Sequence, residues 1–398
     1  MISMNILALS TWYPHPPDNG SKLRAHYLLK ALYERHAVTV AAFCPSHAID
    51  RARPTDEPSP LNVQPVYDDP FRHVAAAQWI KFASPIPVIY WPSRAMRQAV
   101  AELAAREAWE VVVAIQAPAA PYALSFKSTP KVLDIDTALS FQMRERYAAH
   151  GGARAWLSWQ KAHVYERRLF RQFQACALVA HNEQPYLQSL VRGTPCQTAI
   201  VPNGVDCAHN RPGRFTVRPN TLVYNGALTY NVNYDAAQYF LSDIYPLIRQ
   251  QAPEVSFTVT GSTAGVDRAG LRLDASVTLS GYVDDIRSVV GSSAICVVPL
   301  RQGSGTRLKI LEAMALGTPV VSTRKGAEGL EVRHGEHLLL ADDAQTFAQH
   351  TLTLLRDPAL GQRLSAEARR LVEEQYDWSF IGQRFVRLIE DVAHRHTP

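Results

Sequence analysis

Hydrophobic and polar positions along this chain switch repeatedly between two signatures. Short apolar runs at Ile6–Leu9, Val38–Phe43, Val111–Ile115 and Lys131–Ile135 read as buried strands. Between the first two, Leu23, Tyr27, Leu28 and Leu32 recur at helical spacing after a proline-rich loop and a glycine. Ala153–Phe173 has helical periodicity, and Ala177–Ala180 and Ala199–Val201 supply two more short strands. A second series follows, with strands at Thr221–Tyr224, Ser256–Thr260, Val277–Leu279, Ile295–Pro299, Pro319–Ser322 and His337–Leu340, and helices at about Asp235–Gln250, Arg307–Leu316, Asp357–Tyr376 and Trp378–Val392. Strands separated by helical segments predict parallel α/β sheets. Residues 45–75, rich in Pro and Asp, read as a loop or insertion, and the apolar stretch Trp79–Val88 has no clear assignment.

The two series meet at a turn, Asn203–Gly204–Val205–Asp206, followed by the polar segment CAHNRPGRFTVRPN. The expected division is a first domain over 1–205, a linker over 206–218, a second domain over 219–376, and a closing helix over 377–398 that packs back on the first domain. A chain of 398 residues is too long for one ordinary core, which agrees with two.

Composition changes this picture little. Hydrophobic content of 47% and charged content of 19% are those of a soluble globular protein, and no apolar run is long enough to span a bilayer. The first residues, MISMNILALSTWYP, lack a basic segment and a cleavage site, so a cytoplasmic protein is expected. The five cysteines are scattered, with no CxxC pair, and read as small core residues. The net charge of +5 is uneven: residues 1–200 hold 21 Lys and Arg against 15 Asp and Glu, whereas 201–398 hold 20 against 21. Within the basic half, Ala153–Phe173 carries Arg154, Lys161, Arg167, Arg168 and Arg171 among Trp156, Trp159 and Phe170, with Glu166 its single acid. Such a helix either rests on an anionic membrane surface or buries one face and exposes a basic one. Nucleic acid is not the expected partner of so small a surplus.

Candidate chemistry concentrates in PLRQGSGTRLKILEAMALGTPVVST. A strand, a turn through Gly303, Ser304 and Gly305, and a helix start place free amide groups and a positive dipole end where an anion can bind. Arg307 and Lys309 add positive charge in the first turn, where a helix alone favours acids. Gly261 and Gly281 follow strand ends directly, at the sheet edge where ligands bind in this architecture.

With the PPDNG loop, the NGVD turn, GYVDDI, LEAMALGTPVV and the DP…RLSAEARRLVEEQYDW ending, the chain resembles retaining nucleotide-sugar glycosyltransferases of family 4 over essentially its whole length. That resemblance implies two Rossmann-like domains facing across a cleft, the GT-B fold. It implies transfer of a sugar from a nucleoside diphosphate sugar to a glycan or lipid-linked acceptor, in bacterial surface polysaccharide synthesis, at the inner face of the membrane. Glu312 then matches the glutamate that meets the ribose hydroxyls. Gly303, Ser304, Gly305 and Thr306 match the loop that meets the sugar and diphosphate, and Gly281, Tyr282 and Val283 the loop beside the base. Gly20 matches the glycine that admits the diphosphate, and Asn225 and Gly226 open the first loop of the second domain.

Three departures stand out. Ser304 replaces the family's first motif glutamate. The Arg and Lys usual in the first loop of the second domain are absent from YNGALTYNVNYD, leaving Arg307 and Lys309 to answer the diphosphate. Gln116 stands where many members have histidine. Asp134 and Asp136, flanking Ile135, are either acceptor-side or structural. No metal and no cofactor beyond the sugar nucleotide are expected. A nucleotide-sugar 2-epimerase or inverting transferase on the same fold, and a silent sugar-nucleotide-binding module, are the competing readings.

Overall fold

The computed structural model describes residues 3–44, 62–71, 92–303 and 307–396. The chain forms two compact units, Met1–Pro202 with Ile381–Pro398, and Asn203–Phe380. The first unit contains β1 (Asn5–Ser10), α1 (Gly20–Tyr33), β2 (Ala37–Phe43), β3 (Val63–Val66), α2 (Arg94–Arg106), β4 (Val111–Ile115), α3 (Ala120–Ala123), β5 (Lys131–Ile135), α4 (Leu139–His150), α5 (Ala153–Phe170), β6 (Ala175–Leu178), α6 (Gln184–Val191) and β7 (Gln197–Ile200). The second contains β8 (Arg218–Asn225), α7 (Asn231–Tyr239), α8 (Tyr245–Gln251), β9 (Ser256–Thr260), β10 (Val277–Gly281), α9 (Ile286–Gly291), β11 (Ser293–Val298), α10 (Leu308–Leu316), β12 (Val320–Ser322), β13 (Leu339–Leu340), α11 (Ala344–Arg356) and α12 (Pro358–Gln375). The last helix, α13 (Trp378–His396), begins in the second unit and continues in the first.

Each unit is built on one sheet. Among the described residues the first has seven strands in the order β3-β2-β1-β4-β5-β6-β7, the second six in the order β10-β9-β8-β11-β12-β13. Every pairing is parallel; Ile6, for example, sits between Val38 and Val111. Parallel strands are covered on both faces, so they are apolar throughout rather than alternating, as the fully buried Val111–Ile115 illustrates.

Several boundaries differ from the periodicity, each for a physical reason. Val63–Val66 is a strand inside the segment read as a loop; its Pro65 sits at the sheet edge, where a missing N–H is tolerated. The helix expected from Asp235 starts at Asn231 and runs to Gln251 through a π-helical turn at Phe240–Ile244, just ahead of Pro246, which has no N–H to donate. Val205 forms a bridge with Asp377 inside the second unit, so the units divide at Pro202 rather than at Val205. In α13, a Cβ on Gly382 would lie 2.5 Å from the Ala31 Cβ, so this helix lies close on α1. The stretch Trp79–Val88 lies outside the described residues.

In the first unit one helix start is capped locally and another by two side chains from elsewhere. Asn19 caps α1 by accepting from Lys22 N at 3.0 Å. Helix α4 has no cap of its own; the buried Glu166 carboxylate accepts from Leu139 N and Ser140 N at 2.9 Å each, and Glu183 accepts from Ala138 N at 3.4 Å. Burial raises Glu166 to about 7 and Glu183 to about 8.

Candidate functional site

In an open parallel sheet the strand order reverses at one point, and the carboxyl ends of the strands flanking it leave a crevice between outgoing loops. In the second unit that point lies between β8 and β11. Asn225 is the last residue of β8, and α10 follows β11. Asn225 Nδ2 donates to Glu312 Oε2 at 2.9 Å, closing the two sides of the switch point. Asn225 is 8% exposed, and its Oδ1 has no hydrogen-bond partner among the described residues. Burial raises the Glu312 carboxyl to about 7 against the opposing pulls of Asn225 and Lys309.

Lys309 is part-buried and reaches back from the first turn of α10. Its Nζ donates to Tyr224 Oη at 2.9 Å and to Asn233 Oδ1 at 2.9 Å, and lies 4.1 Å from the centre of the Tyr224 ring. Burial lowers the ammonium to about 7. The spacing of Lys309 and Glu312 suggests an i,i+3 pair on one helix. They instead take separate partners on β8 and α7, within electrostatic reach of each other.

Glycines at 226, 261, 281 and 303 interrupt the backbone around these groups. A Cβ on Gly226 would lie 2.9 Å from Lys309 Nζ and from the Asn233 side chain. Gly261 has φ +96°, and a Cβ there would lie 2.6 Å from Ala227 N, so only glycine lets β9 end against the β8 loop. Gly281 ends β10 and accepts from Gly261 N at 2.8 Å; Tyr282 beyond it is 73% exposed, and Val283 is part-buried. Gly303 turns with φ +103°. Arg307 is buried and donates to Gly303 O at 2.8 Å and Lys325 O at 3.1 Å, with Glu328 at 3.8 Å. Its guanidinium thus ties the turn down, whereas the ammonium of Lys309 reaches the end of β8. Ser304, Gly305 and Thr306 lie outside the described residues.

In the first unit the order reverses between β1 and β4. Gln116, just past β4, has φ 69°, a left-handed backbone unusual for a side-chain-bearing residue. Its Nε2 donates to Ser21 O at 3.3 Å, and Asp136 accepts from Ser21 Oγ at 3.1 Å. Gln116, Asp136 and the start of α1 therefore converge. Gly20 is the first residue of that helix and has no positive φ. Asp134 stands apart: it is fully buried and receives Arg24 Nε at 2.9 Å, while Arg24 also donates to Val201 O at 2.9 Å and Pro202 O at 3.1 Å. Both side chains of this pair are fully buried.

Tyr224, Asn233, Ser21 and Arg24 escape a reading of the sequence. Only the Tyr–Asn step closing an apolar run, and the asparagines in NVNYD, hint at the first two. No group of three or more metal-ligating side chains occurs among the described residues, and no described helix is long and apolar enough to cross a membrane.

Both units carry the parallel sheet of a Rossmann-like domain, and solved structures share this fold. Sucrose-phosphate synthase from Thermosynechococcus elongatus matches with a TM-score of 0.73 at 16% identity, over 98% of this chain and 100% of that one. HepE of Anabaena, solved with UDP and glucose, matches with a TM-score of 0.69 at 16% identity, over 98% and 100%. The fold is thus of the GT-B type. Residues 219–357 match the family model described as "Glycosyl transferases group 1". A phosphatidyl-myo-inositol mannosyltransferase of Mycobacterium leprae is 30% identical over 162 residues, covering 38% of this chain and 42% of that protein. The chain thus spans about two-fifths of that relative's length.

Proposed function

We propose that this protein is a glycosyltransferase that moves a sugar, with retention, from a nucleoside diphosphate sugar to a hydroxyl of a glycan or lipid-linked acceptor in surface polysaccharide synthesis. One observation carries the reading: in the unit that matches the group 1 family, the buried Glu312–Asn225 contact and the Lys309 ammonium meet at the switch point. The carboxylate suits vicinal ribose hydroxyls, each of which donates. Lys309 and the first amides of α10, whose first turn holds no acid, suit the departing diphosphate. An acceptor hydroxyl attacking from the leaving-group face passes its proton to the diphosphate, so the protein need supply no strong base. No metal takes part in this scheme. Gln116 and Asp136 in the first unit are the residues offered to the acceptor.

Helix α5 supports a membrane partner. Its single acid, Glu166, is buried at the α4 start, whereas Arg154, Arg167 and Arg168 are exposed, as is Trp156 at 46%. Arg154→Glu with Arg168→Glu should abolish sedimentation with phosphatidylglycerol vesicles; unchanged sedimentation rejects the partner.

The catalytic reading is tested by incubating the protein with UDP-, GDP- and ADP-sugars and following nucleotide release, with and without acceptor and EDTA. Acceptor-dependent, EDTA-resistant release is expected. Binding without turnover points to a silent module, and no binding at all rejects both.

A further inference from the structure

The ammonium of the part-buried Lys309 has no carboxylate within ion-pair distance among the described residues. Its partners are neutral. Tyr224 Oη, while accepting from Lys309, donates to Asn233 Oδ1 at 2.8 Å, and Asn233 Nδ2 donates to Ala227 O at 3.0 Å. Both polar atoms of Asn233 are therefore in use, one on the β8–α7 loop and one on the cation. Tyr224 is itself fully buried in β8. The charged and titratable groups that act on Lys309 are Cys296 on β11, Arg307 and Glu312.

A cation in such surroundings is costly to keep unless an anion completes it. Two of its three N–H groups are spent on Tyr224 and Asn233. Gly226 then leaves the backbone beside Nζ bare, because a Cβ there would collide with both Nζ and Asn233. Charge that starts on α10 is in this way delivered to the end of β8.

We infer that Asn233 and Tyr224 are positioning residues that hold the Lys309 ammonium at the end of β8 as the fixed cation for a diphosphate. The inference rests on the sugar-nucleotide reading above. Lys309 supplies from α10 the charge that the β8–α7 loop itself lacks, and the two neutral residues set where that charge stands. A bound diphosphate favours the protonated amine, so nucleotide binding takes up a proton above neutral pH and weakens as pH rises.

The test is calorimetric titration of the full chain with UDP, GDP and ADP between pH 7.5 and 9, above the last phosphate ionisation near about 6, in buffers of different ionisation heat. For the nucleotide that binds wild type, proton uptake is expected. Asn233→Ala should weaken binding by about tenfold and move the pH midpoint. Tyr224→Phe keeps the ring and should cost only a few-fold. Asn233→Asp gives the ammonium a carboxylate, which should raise its titration and shift the midpoint to higher pH. Circular dichroism establishes that each variant is folded. If folded Asn233→Ala and Asn233→Asp keep the wild-type pH profile while Lys309→Gln loses affinity, the positioning role is overturned and the sugar-nucleotide reading stands. Wild-type protein that binds none of the three nucleotides overturns both.

Discussion

The two units obey the same topological rule and treat its consequence in opposite ways. At the switch point of the first, Arg24 clamps Asp134 out of reach of solvent, while Gln116 and Asp136 each make a contact with Ser21. At the switch point of the second, glycines strip the strand ends bare, Asn225 Oδ1 has no partner among the described residues, and burial lowers the Lys309 ammonium and raises the Glu312 carboxyl to about 7 each. Polar residues at a strand end therefore do not by themselves mark a ligand site. What marks it is polar capacity left over after the protein's own contacts have been counted.

The strongest way to break this comparison is Asp134→Ala. It strands the Arg24 guanidinium in the core and should cost about 3–5 kcal/mol in a denaturation experiment. A loss near zero would mean that the pair is solvated and belongs with the open site. Glu312→Gln should act on function instead. The amide still accepts from Asn225, so melting should stay close to wild type, while kcat/KM falls by about tenfold to a hundredfold as a charged hydrogen bond is lost. Equal activity would remove Glu312 from the site.

The smallest expected effect is on the pH dependence of melting. Glu166 and Glu183 have folded values of about 7 and about 8, raised above the usual carboxylate range. The native state therefore holds more protons than the unfolded one across that interval, and the first unit should lose stability as pH rises from about 5 to 8. Glu166→Gln should flatten the slope. In the second unit, Glu312 acts in the same sense up to about 7, whereas Lys309, lowered to about 7, makes stability rise with pH above that point. Melting curves of wild type and Glu166→Gln that stay parallel across the range would contradict the assignment.

Much of the architecture was legible along the chain. Val111–Ile115 and Val320–Val321 announce themselves as buried parallel strands, and Gly317 stops α10 with φ +77°. Edge elements were harder to read. Val63–Val66 has few residues and a proline, so local preference points to a loop and only pairing with β2 makes it a strand. The start of α10 also stood out as charged, because Arg307, Lys309 and Glu312 lie within two turns of one helix.

The sequence by itself thus determined two parallel α/β units, the strand, glycine turn and helix at the second switch point, and the basic character of α5, since periodicity, glycine and charge act over a few residues. Tertiary structure alone decided which side chains meet. Asn225 and Glu312 are 87 positions apart, Lys309 and Asn233 76, and Arg24 and Asp134 110. Those meetings follow from strand order, and strand order follows from packing across the whole sheet. Two cations two positions apart at one helix start were therefore alike in sequence and unlike in the fold: Arg307 fastens the turn, and Lys309 presents its charge at the end of β8.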